Sequence, residues 1–130
     1  LMLCRSVHTL LDLSTAVTTI TEGTSYKIRG RHDDTADASQ PFHAVFELTA
    51  AGGTSPTLDA TVETSWDGTT WHTAASMTQL SGAGTKKQVV TADVLGLYVR
   101  GTVTLGGTAN PSVTGALRLV SGAGFQCEVA

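Results

Sequence analysis

The stretch Thr57-Leu-Asp-Ala-Thr-Val-Glu-Thr-Ser-Trp-Asp-Gly-Thr-Thr-Trp71 decides the fold. Leu58, Ala60 and Val62 fall on one face and Asp59, Thr61 and Glu63 on the other, the alternation of a strand buried on one side. Asp67-Gly68 has the chemistry of a tight hairpin turn, whose central residues need positive φ, and Trp71 begins the return strand.

Similar segments recur on both sides. Phe42–Ala50 alternates, with Phe42, Ala44, Phe46 and Leu48 set against His43, Val45, Glu47 and Thr49. Lys87–Ala92, Leu97–Leu105 and Ser112–Val120 read as further strands, and Phe125–Ala130 as a short last one. Ala16–Thr21 and Thr24–Gly30 flank a Glu22-Gly23 turn. Ser6–Leu13 alternates loosely, with Val7, Thr9, Leu11 and Leu13 on one face, and reads equally as a short helix. His32–Gln40 is polar and aperiodic, an expected exposed loop, and Ala51-Gly-Gly-Thr-Ser-Pro56 an expected flexible connection. Eight or nine short strands separated by Gly-rich turns predict an all-β fold, an antiparallel β-sandwich of jelly-roll or Ig-like type. The two loops Ala51–Pro56 and Gly106–Ser112 resemble each other, which in a chain this rich in Gly and Thr reads as coincidence.

The chain of 130 residues forms one domain, with residues 1–40 expected as N-terminal strands or an arm and residues 41–130 as the sandwich core. Only 15% of residues are charged, so a surface of Thr, Ser and Gly repels itself little and suits packing against neighbours. A net charge of −3 argues against nucleic acid as a partner. The basic run Lys27-Ile-Arg-Gly-Arg31 is followed at once by Asp33, Asp34 and Asp37, a mixed-charge loop. No apolar run reaches the ~20 residues that span a bilayer. Leu1-Met-Leu-Cys-Arg5 lacks the basic n-region and long apolar h-region of a signal peptide. Cys4 and Cys127 have no metal-like spacing, and free thiols are expected in a chain made in the cytoplasm, although adjacent end strands would let them bond.

The sequence nominates no enzyme and no cofactor. His8, His32, His43 and His72 are dispersed, without metal-ligand spacing, and are expected at surface or rim positions. Asp33, Asp34 and Asp37 lack the Gly bend and distal Glu of a calcium loop. No Gly-x-Ser-x-Gly elbow occurs. Ser65-Trp-Asp-Gly-Thr-Thr-Trp71 approaches the Asp-box, Ser-x-Asp-x-Gly-x-Thr-Trp, but lacks one residue between Asp67 and Gly68 and occurs once, where propellers need repeats. Trp66 and Trp71 are expected to cap the core or a subunit contact. A glycan-binding module, the competing reading, requires one of them exposed and flanked by Asp67 or His72.

Phe46-Glu-Leu-Thr-Ala-Ala-Gly-Gly-Thr-Ser-Pro-Thr-Leu-Asp-Ala-Thr-Val-Glu63, Ser65–Trp71, Met77-Thr-Gln-Leu-Ser-Gly-Ala-Gly-Thr85, Gly96-Leu-Tyr-Val-Arg-Gly-Thr-Val-Thr-Leu-Gly-Gly-Thr108 and Pro111-Ser-Val-Thr-Gly-Ala-Leu117 together resemble small structural proteins of tailed bacteriophages. In such proteins Thr-Leu-Asp, Asp-Gly-x-x-Trp, Phe/Met-Thr-Gln-Leu and Tyr-Val-Arg elements follow one another in this order. The resemblance covers roughly residues 44–120 and not residues 1–40. It implies a virion component, and many β-sandwich examples are decoration, or cement, proteins on the head surface. The expected partners are the major capsid protein and copies of the chain itself, as dimer or trimer, in a virion assembled in the host cytoplasm. A tail or baseplate subunit shares the fold; a tail-tube subunit more often adds a packed helix and a long stacking hairpin, neither evident here. The candidate interface residues are Leu3, Val7, Leu10, Leu11, Trp66, Trp71 and Phe125, with the turns Trp66–Trp71 and Gly82–Lys87 projecting outward or meeting sister subunits.

Overall fold

The computed structural model describes residues 7–17, 21–30, 42–94, 98–121 and 126–130. Every described element is a strand: β1 (Val7–Val17), β2 (Thr21–Glu22), β3 (Tyr26–Gly30), β4 (Phe42–Ala51), β5 (Thr54–Ser65), β6 (His72–Ser76), β7 (Leu80–Ser81), β8 (Gly84–Ala92), β9 (Tyr98–Thr108), β10 (Ser112–Ser121) and β11 (Gln126–Val129). They form two antiparallel sheets. One has the order β1-β10-β4-β8; the other runs β11-β3-β9-β5-β6, with β2 on β9 and β7 on β5. β1 pairs with β10, β3 with β9, β4 with β8 and β5 with β6, so eight strands form one long antiparallel ribbon. Rolling that ribbon brings β10 beside β4 and β9 beside β5. This nesting is the jelly roll, and it settles the choice left open by strand count alone.

Alternation dictates the core. On β4, Phe42, Ala44, Phe46, Leu48 and Ala50 point inward, and on β5 Leu58, Ala60 and Val62 do so. Val99 and Val103 of β9 and Val113, Leu117 and Leu119 of β10 complete a centre of Leu, Val and Phe side chains. Leu10, Leu11 and Leu13 of β1 and Ile28 of β3 are part of it. Residues 7–17 and 21–30 are thus integral to the sandwich and not an arm laid on it. β1 is a strand, and its loose alternation has a cause: the register with β10 slips between Thr9 and Leu11. The bulge lets Leu10 and Leu11, adjacent in sequence, both face the core.

Two of the turns at which the chain changes sheets lie side by side. β4 passes to β5 through Gly52 and Gly53, with φ of 69° and 68°, and β9 passes to β10 through Ala109 and Asn110, with φ of 61° and 59°. Ala51 pairs with Ser112 and Thr54 with Thr108, so the two similar loops are neighbours. A Cβ at Gly53 would stand 2.6 Å from the Thr108 carbonyl oxygen, so the close approach of the two turns requires glycine there. The connection expected to be flexible is a tight corner. β8 starts at Gly84, earlier than its sequence indicated, because Gly84, Thr85 and Lys86 already pair with Ala50, Thr49 and Leu48. The acidic loop His32–Gln40, Cys4, Leu3 and Phe125 lie outside the described residues.

Candidate functional site

The β5–β6 hairpin projects from one end of the sandwich. Its loop is Trp66–Trp71, longer than a two-residue turn, and Gly68 alone in it has positive φ, 81°. Asp67 does other work. Its Oδ1 accepts hydrogen bonds from the Thr70 and Thr69 backbone N–H groups, at 2.7 and 2.8 Å, and from the Ser65 hydroxyl at 2.9 Å. Ser65 Oγ in turn accepts from Gly68 N–H at 2.9 Å. Led by the Thr70 and Thr69 amides, these donors hold the Asp67 carboxyl well below the usual carboxylate range. The loop is therefore fixed by its own polar groups.

That frame sends the two tryptophans to different places. Trp71 leans on the outer face of the larger sheet, with the Arg100 guanidinium 4.2 Å from its ring centroid. Arg100 Nε also donates to Glu63 at 2.8 Å and Nη1 to Glu22 at 3.4 Å, while the Thr102 hydroxyl donates to Glu63 at 2.9 Å. Trp66 is 52% exposed and stacks on the imidazole of His72, with centroids 4.9 Å apart and planes 21° from parallel. Beside this pair lies an open groove of about 440 Å³ lined by Thr64, Trp66, His72, Thr73, Asp93 and Val94.

Of the expected interface residues, Val7 (51% exposed) and Trp66 are at the surface, and Trp71 is half-buried under its ion-pair cluster. Leu10 and Leu11 are corrected: at 2% and 8% exposure they are core residues. Burying a leucine stabilises the fold by roughly 1.5–3 kcal/mol, so the monomer uses both before any partner does. Leu3 and Phe125 lie outside the described residues. Among the histidines, His72 is exposed and His43 lies half-buried on the outer face. His8 departs from the expected rim position: its Nε2 is buried without a partner among the described residues, its ring meets Tyr26 edge-on at 4.3 Å, and burial lowers its pKa. Cys127 stands opposite Ile28 on β3. No group of three or more His, Cys, Asp or Glu among the described residues is placed to hold a metal.

Sequence reasoning missed Asp93 and Val94 as groove residues. They follow β8, in the other sheet from Trp66, and a hydrogen bond from Asp93 N–H to the Ala74 carbonyl, at 3.0 Å, brings them to the hairpin. It also missed a second surface. Register places Val7, Val120, His43 and Thr91 in one row on the outer face of the four-stranded sheet, and Thr9, Arg118, Val45 and Val89 in the next. Val89 is 62% exposed. The alternation of β4 and β10 contained that signal, but not which strand lies beside which.

The four elements behind the phage resemblance meet in space. Gln79 donates to Asp59 at 2.9 Å, Met77 N–H to the Ala60 carbonyl at 2.9 Å, and Arg100 covers Trp71. They form one packing unit around β5 and belong to the scaffold. No protein-family model, curated protein or solved structure matches the chain.

Proposed function

We propose that this chain is a structural protein of a tailed-phage virion, a decoration or cement protein that binds the head and stabilises capsomer joints, and performs no chemistry. The observation that supports the reading best is the outer face of the four-stranded sheet. It is rich in Thr and Val, with Val7 and Val89 more than half exposed and Val45 and Val120 between them, and its charged groups include the Arg118–Glu47 pair. The pairs Val7–Val120 and Val45–Val89 help the sheet itself, and their exposed surface is also what a partner sheet or capsid surface would bury. A standard interface takes ~800 Å² from each partner, the scale on which such a contact would have to bury surface here. The edge strands are less inviting. β1 is bulged, β8 carries Lys86 and Lys87, and β6 and β11 are short, all features that discourage strand addition. Contact through the face is therefore favoured over contact by edge-strand addition.

The test separates heads from tails of particles containing the chain and counts its copies in each. On the order of hundreds of copies on isolated heads, in fixed ratio to the major capsid protein, support the proposal. A few copies, or copies on tails only, overturn it in favour of a tail or baseplate subunit. Val89→Lys combined with Val7→Lys is expected to leave stability within about 0.5 kcal/mol and to abolish head binding.

A further inference from the structure

We propose that the Trp66 groove is a binding site for a neutral pyranose unit of a glycan. This goes beyond the head-binding role and uses a different part of the molecule, the end of the sandwich instead of the outer face of a sheet.

Three observations carry it. First, Trp66 is exposed although the chain has a use for its other tryptophan: Trp71 is covered by Arg100, while Trp66 keeps half its surface open. His72 supports one side of the indole, so the ring is held as a platform on which the C–H face of a pyranose can stack. Second, polar groups converge beside the platform. The His72 imidazole, the Thr73 hydroxyl and the Asp93 carboxylate line the groove, and none of these side chains is engaged in a hydrogen bond or ion pair with another described residue. A carboxylate flanked by a hydroxyl and an imidazole suits the vicinal hydroxyls of a sugar, each of which both donates and accepts. Third, the site is pre-organised. Asp67 and Ser65 lock the loop that carries Trp66, and the Asp93 backbone is tied to Ala74. Little ordering is left for a ligand to impose.

The charge pattern narrows the ligand. Among the described residues the groove is lined by Asp93 and by no Lys or Arg, which disfavours sialylated, phosphorylated or sulfated sugars. A quaternary ammonium group is the other chemistry that pairs with an indole and a carboxylate. Such cations are held by several aromatic faces around them, and here a single stacked pair forms one wall. Val94 closes the apolar end, against which the ring carbons of a pyranose fit.

The experiment uses the isolated chain and follows the two indole N–H cross-peaks and the backbone amides by NMR. Cellotetraose, maltotetraose and N,N′,N″-triacetylchitotriose are added in turn up to ~20 mM, with choline chloride as the competing cation. The expected result is a saturable shift of the Trp66 indole with the Thr73 and Asp93 amides for at least one saccharide, while the Trp71 indole stays in place. Trp66→Ala should weaken binding at least about tenfold and Asp93→Asn about three- to tenfold, with Trp71→Phe unchanged, since stacking and hydrogen bonding each supply part of the affinity. Trp66 is already half exposed, so its removal leaves the fold intact, and the amide spectrum of the variant checks this directly. The proposal is overturned if no saccharide moves the Trp66 resonance, if Trp66→Ala binds as well as the parent, or if choline alone gives the shift. Heads take no part in this titration, so its failure leaves the decoration reading standing, and loss of the decoration reading leaves the groove to be judged alone.

Discussion

The outer faces of the two sheets are built from the same small vocabulary and finished differently. On the larger sheet, Arg100 joins Glu63, Glu22 and Trp71, Thr102 reaches Glu63, and Gln79 reaches Asp59. The polar groups of that face satisfy one another. On the four-stranded sheet one ion pair, Arg118 to Glu47 at 3.2 Å, and one hydroxyl contact, Thr49 to Thr85, sit among valines exposed to water. A face closed by its own side chains has little to offer a partner; a face left apolar has little reason to be so without one. The contrast sets the exposed valines of β1 and β8 against a larger-sheet face whose polar side chains pair with one another.

Breaking the four-stranded sheet itself should have the largest effect. Gly115 of β10 has φ of 129°, and a Cβ there would run into the Glu47 carbonyl oxygen on β4. Gly115→Ala is expected to destabilise by roughly 2–4 kcal/mol in urea unfolding, through backbone strain and overpacking together. A loss below about 0.5 kcal/mol would mean that β4 and β10 do not approach this closely. The two ion pairs sharpen the contrast between faces. A double-mutant cycle on Glu63 and Arg100, whose side chains are 22% and 18% exposed, should give a coupling of about 1 kcal/mol or more, because a charged hydrogen bond shielded from water retains its strength. The same cycle on Glu47 and Arg118, at 47% and 34% exposure, should give about 0.5 kcal/mol or less. Equal couplings would remove the distinction.

A smaller effect comes from His8, which lies beneath the four-stranded sheet against Tyr26. Burial favours its neutral form, so its folded pKa lies below the usual imidazole value of about 6.5. Between the two values the unfolded chain binds the extra proton and the folded chain does not. Stability therefore falls as pH drops below about 6.5 and is retained above it. His8→Phe should flatten that part of the stability profile, as read by thermal unfolding between about pH 7.5 and pH 5. A profile that keeps its slope in the variant would assign the dependence to another group.

Much of the fold was legible because single strands carry their own signal. β4 and β5 each bury one face completely, and that produces the alternation seen at Phe42–Ala50 and Leu58–Val62. β1 was ambiguous because the bulge at Leu10 places two consecutive leucines inward, and one skipped residue erases a period of two. The corner at Ala51–Pro56 differs from the flexible connection expected there because Gly-Gly-Thr describes a flexible loop and a tight positive-φ turn equally well; the neighbouring turn at Ala109–Asn110 decides between them. At the groove, Trp66 and His72 were visible as candidates through the hairpin. Asp93 was not, since only the rolling of the ribbon brings the end of β8 to that hairpin. Asp67 was recognised as a turn residue, but its role there is to accept hydrogen bonds and not to adopt positive φ.

The nested ribbon also sets an order of events in time. Its innermost pair, β5 with β6, is joined by the short self-bonded loop Trp66–Trp71, whereas its outermost pair joins Val7 to Val120 across almost the whole chain. Closing a larger loop carries a larger entropic penalty, and folds dominated by such distant pairings form slowly, over milliseconds to seconds. The hairpin is placed to nucleate, and β1 to dock last. Until it does, β10 presents an unpaired edge flanked by the exposed Val120 row, the surface on which newly made chains would stick to one another. A late-arriving N-terminal strand thus acts as the seal on an aggregation-prone intermediate, and refolding yield should depend on chain concentration far more than on the stability of the finished sandwich.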